Sequence, residues 1–175
     1  MAVVRGDLRR LRLPNEPHRV VANPPFSLTA PLLRRLVAAP ALRRADLVLA
    51  DGAARGWVRG LDARAASPWW ELRLGRLVPR SAFTPPPSVD ARVLVLERRP
   101  APLLPPSLRR VHARVVRRRG AARVGLAGLL TERQVVAVGR SAGFDRDTPL
   151  DALTAAQWAA VTQMVVRAGG ARAAR

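Results

Sequence analysis

The sequence predicts an α/β fold followed by a small all-helical domain. In the first part, short apolar segments flank a helix with one apolar face, and the order strand, helix, strand indicates parallel strands joined by a crossover helix. After Pro100 the apolar residues recur at helical spacing. We therefore predict an α/β domain at residues 1–99 and a helical domain at 100–175.

The α/β part contains five predicted strands and one well-defined helix. Thr29 is a suitable N-cap, and the apolar residues that follow it recur every three or four positions. Residues 57–68 fit a short helix or a loop. The last two strands alternate apolar and polar residues and lie close together in the sequence, which favours antiparallel pairing. The predicted strands are residues 2–6, 19–23, 46–52, 70–79 and 91–99.

The helical part has three predicted helices, each with a hydroxyl residue at its start and glycine at its end. We expect Trp69 and Trp70, which precede the fourth strand, to pack in the core. The helices begin at the caps Ser107, Thr131 and Thr154 and end at Gly120, Gly143 and Gly169.

The composition indicates a globular protein with a strongly basic surface. All 31 basic residues are arginine, only 12 residues are acidic, and the net charge is +19. Such a surface attracts polyanions, nucleic acid above all, although a solvated basic surface without a specific partner is the alternative. There is no cysteine, and His18 and His112 are isolated, so we predict no metal site. No apolar segment is long enough to span a membrane, and we expect a cytoplasmic protein.

Residues 23–26, Asn-Pro-Pro-Phe, have the chemistry of an amino-group methylation site. The exocyclic amine of adenine is a poor nucleophile because its lone pair is delocalised into the ring. Two acceptors aimed at its two protons help most as positive charge develops on nitrogen, and the Asn23 side chain and the Pro24 carbonyl supply two. The prolines stiffen the loop, and Phe26 offers a flat face to a base taken out of its stack.

The alternative is an ordinary turn between a strand and a helix, since asparagine and proline are both turn formers. The context favours a site. An apolar strand precedes the motif, a helix follows it, and Asp7 ends the preceding predicted strand. In doubly wound sheets ligands bind at the carboxyl ends of strands, where both Asp7 and Asn23 are predicted to lie.

Three segments together resemble the Erm-type ribosomal RNA adenine N6-dimethyltransferases. This superfamily also contains the small-subunit RNA dimethyltransferases. Residues 78–99 are similar to the Phe-x-Pro-x-Pro-x-Val-Asp segment that joins the last two strands of the RNA enzymes, and this match is the most specific. The matching segments are "VVRGDLRRLRLP", "VVANPPFSLTAPLLRRL" and "VPRSAFTPPPSVDARVLVLERR".

The resemblance implies roles for particular residues. Asn23 and the carbonyl of Pro24 would hold the target amine, and Phe26 would stack on the flipped adenine. Phe83 would approach the same base from the other side, with a core position beneath a proline-rich turn as the alternative. Asp7 would contact the adenine of S-adenosylmethionine, although taken alone it would be an ordinary loop acid.

The helical part is rich in arginine and resembles the C-terminal domain of the family. Residues 98–140 contain 11 arginines and one acid, Glu132. These arginines fit either a solvated helix surface or phosphate contacts, and the resemblance favours the second reading. We expect the contacts to ribosomal RNA to include Arg109, Arg110, Arg117 and Arg118.

The resemblance also implies that part of the family's fold is absent. No Gly-x-Gly occurs before Asn23, so the loop for the methionine part of S-adenosylmethionine is missing. If the family's sheet order is 3-2-1-4-5-7-6, strands 1 and 2 are missing from this partial Rossmann-like sheet, and strand 4 becomes an edge. We expect an N-terminally truncated chain, or half of a split enzyme whose partner chain supplies the missing strands. By itself it should bind the donor weakly or not at all.

Three functions fit the sequence. The first is the C-terminal part of an enzyme that dimethylates an adenine of large-subunit ribosomal RNA, a reaction that confers resistance to macrolide-type antibiotics in the family. The second is a small-subunit ribosomal RNA dimethyltransferase. The third is a non-catalytic basic RNA-binding remnant, which would be indifferent to substitution of Asn23.

Overall fold

A computed structural model describes residues 6–169, apart from the side chains of Arg9 and Phe26. The described residues form two compact units, the first made of residues 6–63 and 70–100 and the second of residues 64–69 and 101–169. The predicted strand at residues 2–6 lies outside the described residues except for Gly6, which is in a loop. The strands are β1 (His18–Ala22), β2 (Leu42–Ala50), β3 (Trp70–Val78) and β4 (Ala91–Arg98). The helices are α1 (Thr29–Ala38), α2 (Asp51–Arg59), α3 (Leu61–Ala66), α4 (Arg109–Val115), α5 (Ala122–Gly125), α6 (Glu132–Ala142) and α7 (Ala155–Arg167).

The four described strands form one mixed sheet in the order β1-β2-β4-β3. β1 and β2 are parallel and α1 connects them, which confirms the predicted crossover. β3 and β4 are antiparallel neighbours, as their alternating pattern predicts, and β4 also pairs antiparallel with β2. Within the described part of the chain, β1 is therefore an edge strand.

One face of the sheet is covered by α1 and α2. Leu47 of β2 and Leu94 and Leu96 of β4 lie on this face and are fully buried. At the end of α1, the Val37 carbonyl accepts a hydrogen bond of 3.0 Å from Nε1 of Trp70. The guanidinium of Arg98 lies 4.4 Å above the Trp70 ring. Trp70 of β3 therefore contacts both the end of α1 and the cation of Arg98 on β4.

The opposite face, which we call the charged face, carries half-exposed and charged side chains. Arg44 and Asp46 of β2 form an ion pair there, with 2.7 Å between Nε and Oδ2. The hydrogen bond from Arg44 lowers the pKa of the Asp46 carboxyl below its ordinary value, against the opposing effect of burial. On β1, Val21 is 82% exposed. The register places these residues on this face: Arg19, Val21, Arg44, Asp46, Glu71, Arg73, Val95 and Glu97.

Several predicted boundaries differ from the structure. β2 begins at Leu42 instead of 46, because Leu42 and Arg44 already pair with β1, and Leu42 and Ala45 are completely buried. Residues 51–66 form two helices, so the weak pattern predicted for 57–68 is mostly helical. Thr29 and Ser107 are not caps, because a 3-10 turn precedes each helix and its last residue takes the cap position without a side-chain bond. α4 also ends before Gly120, at Val115, and α5 was not predicted.

The core of the second unit contains a buried histidine among tryptophans. Trp69, Trp158 and His112 are at most 2% exposed, and the His112 ring meets the edge of Trp69 at 82°. Nδ1 of His112 lies 2.8 Å from the hydroxyl of Thr162, and Nε2 lies 3.2 Å from the Arg64 carbonyl. The core position predicted for Trp69 and Trp70 is therefore confirmed.

Two helices of the second unit begin with a capping box, as predicted from Thr131 and Thr154. The Gln134 amide donates to the Thr131 hydroxyl oxygen, and the Gln134 side-chain oxygen accepts from the Thr131 amide. α7 repeats this arrangement with Thr154 and Gln157. Gly143 ends α6 with φ +76°, a conformation that only glycine adopts at little cost. No helix among residues 6–169 is both long and apolar enough to cross a membrane.

Thr131→Ala is expected to lower the free energy of unfolding by about 1 kcal/mol, because the first turn of α6 loses its acceptor. Urea denaturation followed by circular dichroism measures this change. Ser107→Ala is the matched control, since the Ser107 side chain makes no cap bond to α4. Equal destabilisation by the two substitutions would contradict the assignment of the cap.

Candidate active site

The Asn-Pro-Pro-Phe motif follows β1 directly at the carboxyl edge of the sheet. Asn23 is exposed and Pro24 is buried. The Pro25 carbonyl accepts a hydrogen bond of 2.9 Å from the Leu28 amide, which closes the 3-10 turn Phe26–Leu28 that leads into α1. The loop is thus anchored at both ends while its asparagine faces solvent. The side chain of Phe26 lies outside the described part, so its stacking role stays a prediction.

Asp7 lies beside the helix that follows this loop. Its carbonyl accepts a 2.9 Å hydrogen bond from Arg10, which closes the turn Leu8–Arg10. Leu8 shares a small hollow with Leu28 and Leu32 from the start of α1. The segment that carries Asp7 is therefore packed close to the end of the Asn23 loop, and the Asp7 residue itself is exposed.

Phe83 lies in the loop between β3 and β4, at the same edge of the sheet. Ala91, the first residue of β4, pairs with Ala50, the last residue of β2, while Ala22 at the end of β1 pairs with Leu47. Because β2 separates β1 from β4, the two loops rise from strands about 10 Å apart. Phe83 is half-buried. Its role toward a base stays a prediction, and the sheet brings its loop to the same edge as Asn23.

Asp90 accepts hydrogen bonds that fix this loop at both ends, a role that the sequence did not predict. Its carboxylate accepts a 2.8 Å hydrogen bond from the Arg80 amide at the start of the loop. Its carbonyl accepts a 2.9 Å bond from the Asp51 amide at the end of β2. The amide of Phe83 in turn donates to the Arg80 carbonyl at 3.2 Å. Asp90 therefore fixes the turn from which Phe83 projects.

Asp51 supports the same edge through two arginines. Its carboxylate accepts from Nε of Arg92 on β4 and, at 2.8 Å, from Nε of Arg55 one turn along α2. The hydrogen bond from Arg92 and then that from Arg55 lower the pKa of the Asp51 carboxyl. Arg92 also donates to the Gly75 carbonyl on β3 at 3.2 Å. An aspartate that follows a strand is the sequence signal for this network, but its partners are distant in the chain.

Asp90→Ala is expected to free the Arg80 amide and to raise its hydrogen-exchange rate about fivefold, the equivalent of one hydrogen bond of about 1 kcal/mol. Asp90→Asn keeps a side-chain oxygen and should restore most of the protection. Ser88→Ala, in the same loop, is the control. The exchange rate is measured by NMR. An unchanged rate for the Arg80 amide in Asp90→Ala would show that the Asp90 side chain does not hold the loop.

The four predicted RNA-contact arginines lie in the second unit and differ from one another. The Arg109 guanidinium lies 4.5 Å above the Trp69 ring, and burial lowers the pKa of Arg109. Arg110, Arg117 and Arg118 are exposed and form no ion pair with any residue between 6 and 169. Arg119 extends this exposed group to three consecutive arginines. The geometry thus presents three of the four to solvent and gives Arg109 a packing contact.

Comparisons with known proteins agree with this architecture. The chain is 44% identical over 109 residues to the mycinamicin-resistance protein MyrB of Micromonospora griseorubida, covering 59% of this chain and 35% of that protein. It is 33% identical over 166 residues to an rRNA methyltransferase of Streptomyces thermotolerans, covering 89% and 56%. The solved structure of the 23S rRNA methyltransferase ErmE superposes with a TM-score of 0.82 at 22% identity, covering 93% of this chain and 71% of that one.

These matches confirm the predicted resemblance and fold class. The likeness to ErmE supports the α/β methyltransferase fold with a helical part after it. No family model matches the chain. The chain spans between 35% and 59% of the length of curated relatives that it matches.

Proposed function

This chain is homologous to the Erm-type rRNA adenine N6-methyltransferases, and on that premise we propose that it carries the adenine-holding part of such an enzyme. The substrate would be an adenine of large-subunit ribosomal RNA, the donor S-adenosylmethionine, and the compartment the cytoplasm. The observation that carries the proposal is the position of Asn23 at the carboxyl edge of the sheet, beside the loop of Phe83. Like the mycinamicin-resistance relative, it would serve macrolide resistance.

In this proposal the residues of the chain position the base and leave the donor methyl to be supplied by S-adenosylmethionine. The side-chain oxygen of Asn23 and the Pro24 carbonyl would accept hydrogen bonds from the two amine hydrogens and favour a tetrahedral nitrogen. Phe26 and Phe83 would hold the flipped base between aromatic faces. Arg110, Arg117 and Arg118 would contact phosphates, because their guanidiniums are exposed and unpaired within the described chain.

The residues present fit the donor only in part. Asp7 offers an exposed carboxylate near the start of α1, which suits a contact to the donor's adenine. No Gly-x-Gly precedes Asn23 to receive the methionine part. These residues therefore supply part of a donor site and not the whole of it.

We propose that the donor site is completed by a polypeptide segment that adds a strand beside β1. Two features support this completion. β1 pairs on one side only within residues 6–169, and Val21 on its charged face is 82% exposed. An unpaired apolar edge of this kind favours pairing with a further strand.

Methyl transfer to RNA tests the proposal. The purified chain, alone and co-expressed with the N-terminal segment of the Streptomyces thermotolerans relative, is incubated with tritiated S-adenosylmethionine and protein-free ribosomal RNA. We expect transfer to large-subunit RNA by the completed enzyme and none by the chain alone. Transfer to small-subunit RNA instead would indicate the related small-subunit enzyme. RNA binding without transfer in any combination would support a non-catalytic RNA-binding protein.

Calorimetry provides the second measurement. The chain alone is expected to show no binding of S-adenosylmethionine in the micromolar range, and the completed enzyme is expected to bind it. Micromolar binding by the chain alone would contradict the requirement for a completing segment.

A further inference from the structure

The outer surface of α6 combines exposed apolar side chains with unpaired arginines. Along one side of this helix lie Arg133, Val136, Ala137 and Arg140, all exposed, and together with Glu132 they border a shallow hollow. A second hollow, bordered by Val124 of α5, meets the first at Glu132. We call the residues Val124, Arg133, Val136, Ala137 and Arg140 the α6 surface.

Exposed apolar side chains are concentrated on this surface. Val124 is 60% exposed and Val136 is 37% exposed, and these are the two large apolar side chains that the described residues of the second unit expose. The remaining valines and leucines of α5, α6 and α7 are buried or half-buried. A joined patch of exposed apolar residues indicates a surface that contacts a partner.

The charged side chains of this surface are positive and are not engaged in ion pairs within the described chain. Arg133 and Arg140 form no ion pair within residues 6–169. The nearest acid, Glu132, is paired with Arg146 at 2.7 Å. Among residues 64–69 and 101–169 there are 12 arginines and four acids, so the surroundings reinforce the positive potential. An anionic partner is therefore favoured over a neutral or basic one.

The spacing of the two arginines selects among anionic partners. Arg133 and Arg140 are seven positions apart, so their Cα atoms lie about 10 Å apart along the helix axis. Small apolar side chains lie between the two arginines. The minor groove of double-stranded RNA is wide and shallow, displays ribose 2′-hydroxyls and base edges, and has a phosphate backbone on each side. Valine and alanine suit contact with riboses, and two outward-reaching arginines suit the two backbones.

We propose that the α6 surface docks in the minor groove of a double-stranded RNA stem. This inference rests on the proposed function, since it assigns how the same RNA is held outside the target adenine. α6 crosses the groove, so that Arg133 and Arg140 contact phosphates on its two sides, and Val136 and Ala137 between them face the sugars. Recognition is by shape and charge and is independent of base sequence.

Binding of labelled nucleic acids by the full chain tests this proposal. Fluorescence anisotropy compares an RNA duplex of about 16 base pairs, the length that shape-reading domains span, with a DNA duplex of the same sequence. We expect tighter binding to the RNA duplex. The double substitution Arg133→Glu, Arg140→Glu should weaken RNA binding at least about tenfold and reduce the slope of log affinity against log salt by about two.

Two further variants separate a docking surface from diffuse charge. Arg167→Glu, at the exposed end of α7, changes one charge in the same unit outside this surface and should alter affinity less than about threefold. Ala137→Trp keeps the charge but holds the helix away from the groove, so affinity should fall while the salt slope is kept. Circular dichroism confirms that each variant is folded.

The outcomes distinguish this inference from the proposed function. Equal losses of RNA affinity per charge in the α6 surface and at Arg167 would overturn the inference, as would equal affinity for RNA and DNA duplexes. Duplex binding that requires the α6 surface, in a completed protein that transfers no methyl group, would contradict the proposed function and leave this inference standing.

Discussion

Replacing Asn23 with alanine is expected to lower methyl transfer to RNA about 100- to 1,000-fold in the completed enzyme, the range found when one polar group that stabilises developing charge is removed. In the proposed mechanism the side-chain oxygen of Asn23, exposed at the carboxyl edge of the sheet, accepts a hydrogen bond from the target amine. Single-turnover measurement with tritiated S-adenosylmethionine isolates the transfer step. RNA affinity should change little, because the amide acts mainly as charge develops on nitrogen.

The chain offers a close control for this substitution. Asn15, the other asparagine, is exposed in the loop before β1. Asn15→Ala should leave the rate of transfer within about threefold of the parent, since a surface substitution away from the site has little effect. Transfer that survives Asn23→Ala with a similarly small loss would exclude Asn23 as an acceptor of the target amine.

The second large effect is a loss of stability in mild acid that originates at His112. Burial lowers the pKa of His112 to about 4, although the hydrogen bond to the Arg64 carbonyl opposes this shift. In the unfolded chain the imidazole titrates near its ordinary pKa of 6.5. Above pH 6.5 the His112 imidazole is neutral in both the folded and the unfolded chain, so its full contribution to the free energy of unfolding is present. Between pH 6.5 and 4 the unfolded state alone takes up the proton, so stability falls, by a total of about 3 kcal/mol below pH 4.

Comparison with a variant that cannot titrate isolates this effect. The free energy of unfolding is measured by urea denaturation from pH 7.5 to 4 in the parent and in His112→Gln. The difference between the two proteins should shrink as pH falls through this window. His18→Gln leaves the buried imidazole of His112 in place and is the control substitution. Parallel pH profiles for the parent and His112→Gln would contradict the assignment.

The elements that the sequence predicts correctly are those with local causes. Alternation in residues 70–79 and 91–99 predicts two antiparallel strands, and the structure pairs these strands in that way. Thr131 and Thr154 cap their helices because a glutamine three residues later completes each capping box. Thr29 has no such partner, and a turn at Phe26–Leu28 takes its place. A single capping residue is therefore a weaker signal than the pair.

In the candidate site, too, the features with local causes could be predicted and those with distant partners could not. The position of Asn23 after a strand could be predicted because it depends on adjacent residues. The network of Asp51 and Arg92 could not, since the two are 41 residues apart and meet only when β4 pairs with β2. Arg109 shows the converse case. Its place in an arginine-rich segment predicts an exposed side chain. In the structure it lies against Trp69, a residue 40 positions earlier in the chain.

The membership of residues 64–69 in the second unit has a consequence for how the protein can be divided. The chain leaves the sheet, contributes these residues to the second core, and returns to form β3 and β4. A fragment that begins at residue 101 would lack the Arg64 carbonyl beside His112, the Trp69 ring beneath Arg109, and the Pro68 carbonyl that accepts from Leu103 at 2.8 Å. Proteolysis near residue 100 would thus cut the connection between β4 and the helices but leave part of the second core on the other fragment. The two cores are therefore expected to survive such a nick together and to separate only when one of them unfolds.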